Sequence, residues 1–291
     1  MADRKTRIAI IYDFDRTLSK SEMQDGFIKT LEMEPDEFWN RSGKLAKEQS
    51  MDSKLAYLYL MIKDSNERGM PLSREKLREF GKNIEFYDGV LEWFSEIGKV
   101  AEQYDIEIEH YIISAGLKEI IEGTPIYKYF ERVYACEYLY DEKGTPTWVK
   151  NVVNFTSKTQ FVFRINKGEF DISDEVGVNK FVPHDERPFP FSNMIYIGDG
   201  TTDIPCMKLV REYGGHSIGV YSGDRSKVEE MMYDDRISFI CEADYRKGSR
   251  LFDTVSRIIG MLSFGDGLRV QGYNDFKSAE KHAIEAKNKD K

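Results

Sequence analysis

The stretch Arg7-Ile8-Ala9-Ile10-Ile11-Tyr12-Asp13-Phe14-Asp15-Arg16-Thr17-Leu18 decides how the rest of the chain is read. Five consecutive apolar residues, Ile8 to Tyr12, suit a strand buried on both faces of a parallel sheet. The run stops abruptly at two carboxylates spaced by one residue. In open α/β sheets, ligands bind beyond the carboxyl ends of the strands, so Asp13 and Asp15 lie where a site is expected. One carboxylate can attack a substrate while the other donates and then accepts a proton, provided both stand near the same reacting atom. Standing alone, an Asp-x-Asp pair after a strand is equally consistent with an ordinary turn. A calcium loop of the EF-hand type is disfavoured, because Leu18 occupies the sixth position, where that loop requires glycine.

Further short β-rich segments follow at 106–113, 132–135, 194–197, 217–220 and 238–241, separated by helical patterns. Val90, Leu91, Phe94, Ile97, Val100 and Ala101 recur at helical spacing, as do Leu251, Val255, Ile258, Ile259 and Leu262. The alternation predicts an α/β fold, a Rossmann-like three-layer core with a mainly parallel sheet. It breaks after the first strand, where helices are predicted over 23–33, 35–48, 53–67 and 73–82 and no strand is legible. The expected organisation is therefore a discontinuous core, 1–19 and 86–273, an inserted all-helical cap, 20–85, and a polar C-terminal tail, 274–291, read as a solvated helix. Within 138–191, Asp141-Glu142-Lys143-Gly144 can turn a hairpin, and Pro183, Pro188 and Pro190 punctuate a loop.

A second acidic pair follows another strand, in Met194-Ile195-Tyr196-Ile197-Gly198-Asp199-Gly200-Thr201-Thr202-Asp203. Carboxylates converging at one sheet edge repel by about 4 kcal/mol per pair at roughly 4 Å and an effective dielectric of 20, unless a cation lies among them. The available ligand atoms are oxygens, so Mg²⁺ is the natural candidate. A third element, His110-Tyr111-Ile112-Ile113-Ser114-Ala115-Gly116-Leu117, reads as a strand, a small-residue turn and the start of a helix. Ser114 there is either a plain N-cap or part of an anion site made with the free N–H groups of Ala115 and Gly116. A cation is still needed for a dianionic substrate. Lys158, at the start of a predicted helix, is the first choice and Lys167 the second.

The 291 residues are 41% hydrophobic and 32% charged, with 51 acidic and 42 basic side chains and a net charge of −9. Such a chain folds compactly and is a poor general binder of nucleic acid or membrane surfaces. Its longest apolar run, at 55–62, falls far below the ~20 residues that span a bilayer. No secretory signal is legible at the start, so a cytoplasmic location is expected. Three scattered cysteines form no C-x-x-C pair, and His110, His184, His216 and His282 make no ligand pattern.

Taken in order, these elements resemble the haloacid-dehalogenase (HAD) superfamily, and within it the phosphatases with a helical cap after the first motif. Asp13-Phe14-Asp15-Arg16-Thr17 resembles the family's D-x-D-x-T, Ser114 its phosphate-binding serine, Lys158 its lysine, and Gly198-Asp199-Gly200-Thr201-Thr202-Asp203 its G-D-G-x-x-D. The resemblance implies that Asp13 is the nucleophile and Asp15 the acid and base. It further implies that Asp13, the carbonyl of Asp15 and Asp199 hold Mg²⁺, with Thr17 and Asp203 in support. The presence of Asp15 argues against a dehalogenase. The chain looks closest to the branch with phosphoserine and phosphocholine-type phosphatases, in which Glu22 matches a cap-side glutamate that contacts substrate. That branch is expected to supply an arginine within 51–62; here there is none, although Lys54 is present. The expected function is a Mg²⁺-dependent phosphomonoesterase acting on a small phosphorylated metabolite. The alternatives are phosphotransfer to an acceptor alcohol and a catalytically weak phospho-ligand scaffold.

Overall fold

Strand β1 (Arg7–Tyr12) is the middle strand of a seven-stranded sheet and is buried from Ile8 onward. In the computed structural model, which describes residues 5–183 and 186–289, the chain leaves β1 through a four-helix excursion that returns beside the end of β1. Its helices are α1 (Asp25–Thr30), α2 (Pro35–Glu48), α3 (Ser53–Glu67) and α4 (Arg74–Gly81). Local chemistry sets their starts. Pro35 occupies the first turn of α2, while the side chains of Asp52 and Ser73 accept backbone N–H groups at the heads of α3 and α4. The outgoing and returning chains are bonded to each other, Lys20 N–H to Glu85 O at 2.9 Å and Tyr87 N–H to Leu18 O at 3.0 Å. The excursion thus begins and ends at one place.

Then follow α5 (Val90–Gln103), β2 (Glu107–Leu117), α6 (Lys118–Glu122), β3 (Phe130–Tyr140), β4 (Pro146–Asn151), α7 (Lys158–Lys167), α8 (Glu175–Asn179), β5 (Met194–Gly198), α9 (Ile204–Glu212), β6 (His216–Tyr221), α10 (Ser226–Tyr233), β7 (Phe239–Glu242) and α11 (Arg250–Lys289). The sheet order is β4-β3-β2-β1-β5-β6-β7, parallel throughout except for the β3–β4 hairpin. That hairpin turns at Asp141, whose carboxylate accepts the N–H groups of Lys143 and Thr145. Adjacent residues of β2 show the two faces, since strand side chains alternate. His110 packs against Phe94 of α5, and Tyr111 against Phe170 and Phe189 on the opposite side. The result is a mostly parallel sheet with helices on both faces, a Rossmann-like α/β core.

Helix α4 is seated on α6 by two glycines. A Cβ on Gly81 would lie 2.0 Å from Ile120 O, and one on Gly123 would lie 1.9 Å from Arg78 O, so no larger residue fits either position. Arg74 and Arg78 of α4 add ion pairs to the nearly buried Glu122 of α6. His184 and the ends of the chain lie outside the described residues. Cys136, Cys206 and Cys241 are buried free thiols.

A buried polar relay lies under β1. The Trp93 indole N–H donates to the Tyr12 hydroxyl at 2.8 Å, and that hydroxyl lies 3.0 Å from His110 Nδ1. In the neutral imidazole with its proton on Nε2, Nδ1 accepts the Tyr12 hydroxyl proton; in the other tautomer the direction reverses. Burial pushes His110 down to about 3 from its ordinary 6.5. Above pH 6.5 both folded and unfolded chains carry it neutral; below, only the unfolded chain gains the proton. The stability it preserves is therefore complete above pH 6.5 and is lost as pH falls toward 3, by up to about 1.4 kcal/mol per pH unit. Urea midpoints between pH 6.5 and 4.5 should fall less steeply for His110→Gln than for wild type. Equal slopes would place the imidazole in contact with water.

Candidate active site

Asp13 continues the ladder one residue past β1, its N–H donating to Ile197 O at 3.0 Å. The chain then curls tightly. Phe14 O accepts the N–H groups of Thr17, Leu18 and Ser19, and Arg16 takes a left-handed φ of +55°. This conformation is uncommon for a non-glycine residue. It lets Arg16 Nε pair with Glu22 at 3.1 Å. The Asp15 carboxylate is fixed by the Met23 N–H, which donates to Oδ1 at 2.8 Å.

From β5 the chain leaves at Gly198, a residue whose Cβ would lie 2.7 Å from Asp203 Oδ2. Glycine is therefore needed for the loop to fold the Asp203 carboxylate back over the strand. Asp203 Oδ1 accepts from Lys158 Nζ at 2.7 Å and from the Tyr196 hydroxyl at 2.9 Å. The same ammonium lies 2.9 Å from Asp13 Oδ1. Lys158 is the first residue of α7 and is 1% exposed, an ammonium wholly inside the protein between two carboxylates. Burial pulls its pKa down, but Asp13 and Asp203 outweigh that and hold it above the ordinary lysine value. Lys167 lies elsewhere. Its Nζ donates to the carbonyls of Val178 and Lys180 and closes the loop around α8.

Asp13, Asp199 and Asp203 each offer an oxygen within 4.8 Å of the others. Burial, followed by the neighbouring Asp203 carboxylate, pushes Asp13 up against the opposing pull of Lys158. Asp199 is raised by burial and then by Asp203, with Lys227 at 3.4 Å a weak counterweight. Asp15 is raised by burial, then by Glu22 and Asp13, and lowered by the Met23 N–H. Asp203 Oδ2 is buried with no hydrogen-bond partner among the described residues. An all-oxygen donor set with an orphaned carboxylate oxygen fits a hard divalent cation. Thr17 sits beneath, fully buried, its carbonyl accepting from Tyr245 Oη at 2.7 Å.

The Ser114 segment differs from the expected turn and helix start. Strand β2 runs on through Leu117, and its pairing with β3 jumps from Ile113↔Tyr134 to Leu117↔Cys136, a bulge that absorbs Ser114, Ala115 and Gly116. Helix α6 begins only at Lys118 and has five residues, so Ser114 is not its N-cap. The Ser114 hydroxyl instead accepts the Gly116 N–H at 3.0 Å. Because Tyr12 pairs with Ile112, the bulge leaves the sheet beside Asp13 and Asp15. The Ala115 carbonyl accepts from Tyr57 Oη of α3 at 2.8 Å.

The structure thus joins Asp13, Asp199, Asp203 and Lys158 in one cluster, sets Asp15 and the Ser114–Gly116 bulge beside it, and places Glu22 at the rim. Tyr196, Lys227 and Met23 belong to the same neighbourhood, yet no spacing in the sequence singles them out. Tyr196 reads as one more apolar strand residue, and its partner Asp203 reaches it only because the loop folds back.

No protein-family model matches the chain. It is 29% identical over 282 residues to an uncharacterized protein of Borreliella burgdorferi, spanning 88% of this chain and 97% of that protein. Among solved structures it is similar to a HAD family hydrolase from Salmonella enterica serovar Typhi, with a TM-score of 0.53, 17% identity, and coverage of 81% of this chain and 68% of that one. It is similar also to phosphoserine phosphatase captured as a phospho-aspartyl intermediate analogue, with a TM-score of 0.53, 17% identity, and coverage of 81% and 93%. The fold is that of the HAD hydrolases, in its phosphoserine phosphatase-like form.

The buried ammonium makes a stability prediction. Removing one member of a buried ion cluster leaves the others uncompensated, at a cost of about 3–5 kcal/mol. Lys158→Met should lose that much in urea unfolding, and adding Asp203→Asn should return part of it. A loss below about 1 kcal/mol would mean that the ammonium is solvated.

Proposed function

We propose that this protein is a Mg²⁺-dependent phosphomonoesterase that transfers the phosphoryl group of a small soluble ester to Asp13 and then to water. The observation that carries the reading is the Asp13 carboxylate at the end of β1, bonded to buried Lys158 inside the Asp13–Asp199–Asp203 cluster. That geometry supports Asp13 as the nucleophile, Lys158 as the cation for the phosphoryl oxygens and the acidic cluster as the divalent-ion site. The likeness to HAD hydrolases supports the same reading.

In this reading a carboxylate oxygen of Asp13 attacks phosphorus as the bond to the leaving oxygen breaks, and Asp15 gives that oxygen its proton. Asp15 suits the task, because burial and the nearby Glu22 carboxylate favour its protonated form. The resulting Asp15 carboxylate then takes a proton from water. The water oxygen attacks phosphorus, the acyl phosphate bond breaks, and inorganic phosphate leaves with the Asp13 carboxylate restored. Lys158 and the Ser114 hydroxyl, with the N–H groups of Ala115 and Gly116, would hold the phosphoryl oxygens throughout. The Gly116 N–H, now bonded to Ser114, would exchange that partner for substrate. Mg²⁺, held by Asp13, the carbonyl of Asp15 and Asp199, would neutralise the converging negative charge. Thr17 and Asp203 would support the two loops, Asp203 by fixing Lys158.

The helical segment 20–85 would act as a cap over a core of 1–19 and 86–273, excluding water from the first transfer and selecting the leaving group. Its tie of Lys20 to Glu85 supports a hinge there. The polar segment 274–291 would stand outside both. The small phosphorylated partner and the expected cytoplasmic setting belong to the same proposal.

Phosphate release from a panel of phosphorylated amino acids, amino alcohols, sugars and nucleotides tests it, with and without Mg²⁺. Turnover of at least one ester should fall by more than a thousandfold in Asp13→Asn and vanish on chelation. Full activity in either condition would remove Asp13 or the metal from the mechanism.

A further inference from the structure

The wall beside Asp15 narrows the class of alcohol that can leave. Asp15 Oδ1 already accepts the Met23 N–H, which leaves Oδ2 to carry the proton for the leaving oxygen in the proposed mechanism. Oδ2 faces the bulge of β2, since a Cβ built on Gly116 would lie 3.1 Å from it. The same point is 2.2 Å from Met23 Cε and 2.6 Å from Met23 Sδ. The thioether is 1% exposed and is pinned there, with Sδ accepting the Leu117 N–H at 3.1 Å. Sulfur is a weak acceptor, so packing rather than this bond holds it. Residue 23 therefore touches the acid through its backbone and walls the space in front of the acid through its side chain.

We infer that Met23 restricts the site to phosphate esters of primary alcohols, an inference that rests on the phosphomonoesterase reading. The carbon bonded to the leaving oxygen has to pass between Asp15 Oδ2, the Gly116 backbone and the Met23 methyl group. A –CH₂– group presents only hydrogens to that wall. A secondary carbinol carbon presents a second carbon branch, which meets Met23 Cε or the Gly116 backbone. One extra carbon in a fitted apolar pocket typically costs a factor of 10 to 200 in kcat/KM.

The test compares glycerol 1-phosphate with glycerol 2-phosphate, isomers of equal charge that differ in branching at the ester carbon. Wild type should favour the primary ester by at least about tenfold in kcat/KM. Met23→Ala should bring the ratio to within about threefold of unity, and Met23→Leu, which keeps the volume, should retain most of the preference. Met23→Val, which removes the Sδ–Cε end but keeps the site apolar, serves if the alanine variant does not fold. The inhibition constant for inorganic phosphate reports separately on the phosphate subsite. A relaxed ratio with that constant kept within about threefold supports the wall, because general damage to the site would move both. A wild-type enzyme that hydrolyses both isomers equally, or folded variants that keep the wild-type ratio, would overturn the inference and leave the phosphatase reading intact. Absence of turnover with every ester would overturn both.

Discussion

The ammonium of Lys158, enclosed between the carboxylates of Asp13 and Asp203, is the constraint on which the rest of the site depends. Two buried carboxylates at this separation repel by several kcal/mol without a cation between them. Lys158 supplies that cation from the first residue of α7, so the helix must start where β1 and β5 end. The β3–β4 hairpin delivers the chain to that start. Tyr196 completes the set from β5, donating to the carboxylate oxygen that Lys158 also holds. The glycine at 198 leaves room for Asp203 to fold back. Each of these requirements comes from a different segment of the chain, and one buried charge links them.

One lysine does not balance the local charge. Asp13, Asp15 and Asp199 are all held above the ordinary carboxylate range, in each case by burial first and by neighbouring carboxylates next. An acidic chain of net charge −9 therefore concentrates further negative charge at the one place proposed to receive a dianionic ester. Protons or a divalent ion would relieve the cluster, and the orphaned Asp203 oxygen marks where protein donors run out. Tyr57 of α3, within the 20–85 excursion, reaches the Ala115 carbonyl beside the cluster. In a water-poor setting, a cation and an acid act at short range with little screening.

Much of this architecture is legible in the residues. The apolar run ending at Asp13 places the central strand, and Pro35 and Asp52 mark the starts of α2 and α3 at positions the structure shares. The Asp141-to-Gly144 turn is legible because its side chain and glycine chemistry is local. The bulge at Ser114–Gly116 is not. Small residues after a strand suit a helix cap as well as an irregular strand, and only pairing with β3 decides between them. The segment 168–191 also escapes sequence reading, because it is ordered by long-range bonds. Arg164 donates to the carbonyls of Asp171, Ile172 and Asp174, and Asn166 to that of Phe189. The helix read over the polar tail continues α11 without a break as far as Lys289. At the site, the acidic motifs stand out by spacing, whereas Lys158 and Lys167 are separated only by where their ammonium groups lie.

The account stands or falls on whether phosphorus becomes bonded to Asp13. Turnover quenched in acid and treated with borohydride would convert an aspartyl phosphate to homoserine, which peptide mass spectrometry locates. Conversion at position 13, present only when Mg²⁺ and a hydrolysed ester are both supplied, is the predicted result. An unmodified Asp13 in protein actively releasing phosphate, or conversion at Asp15 or Asp199 instead, would contradict the account.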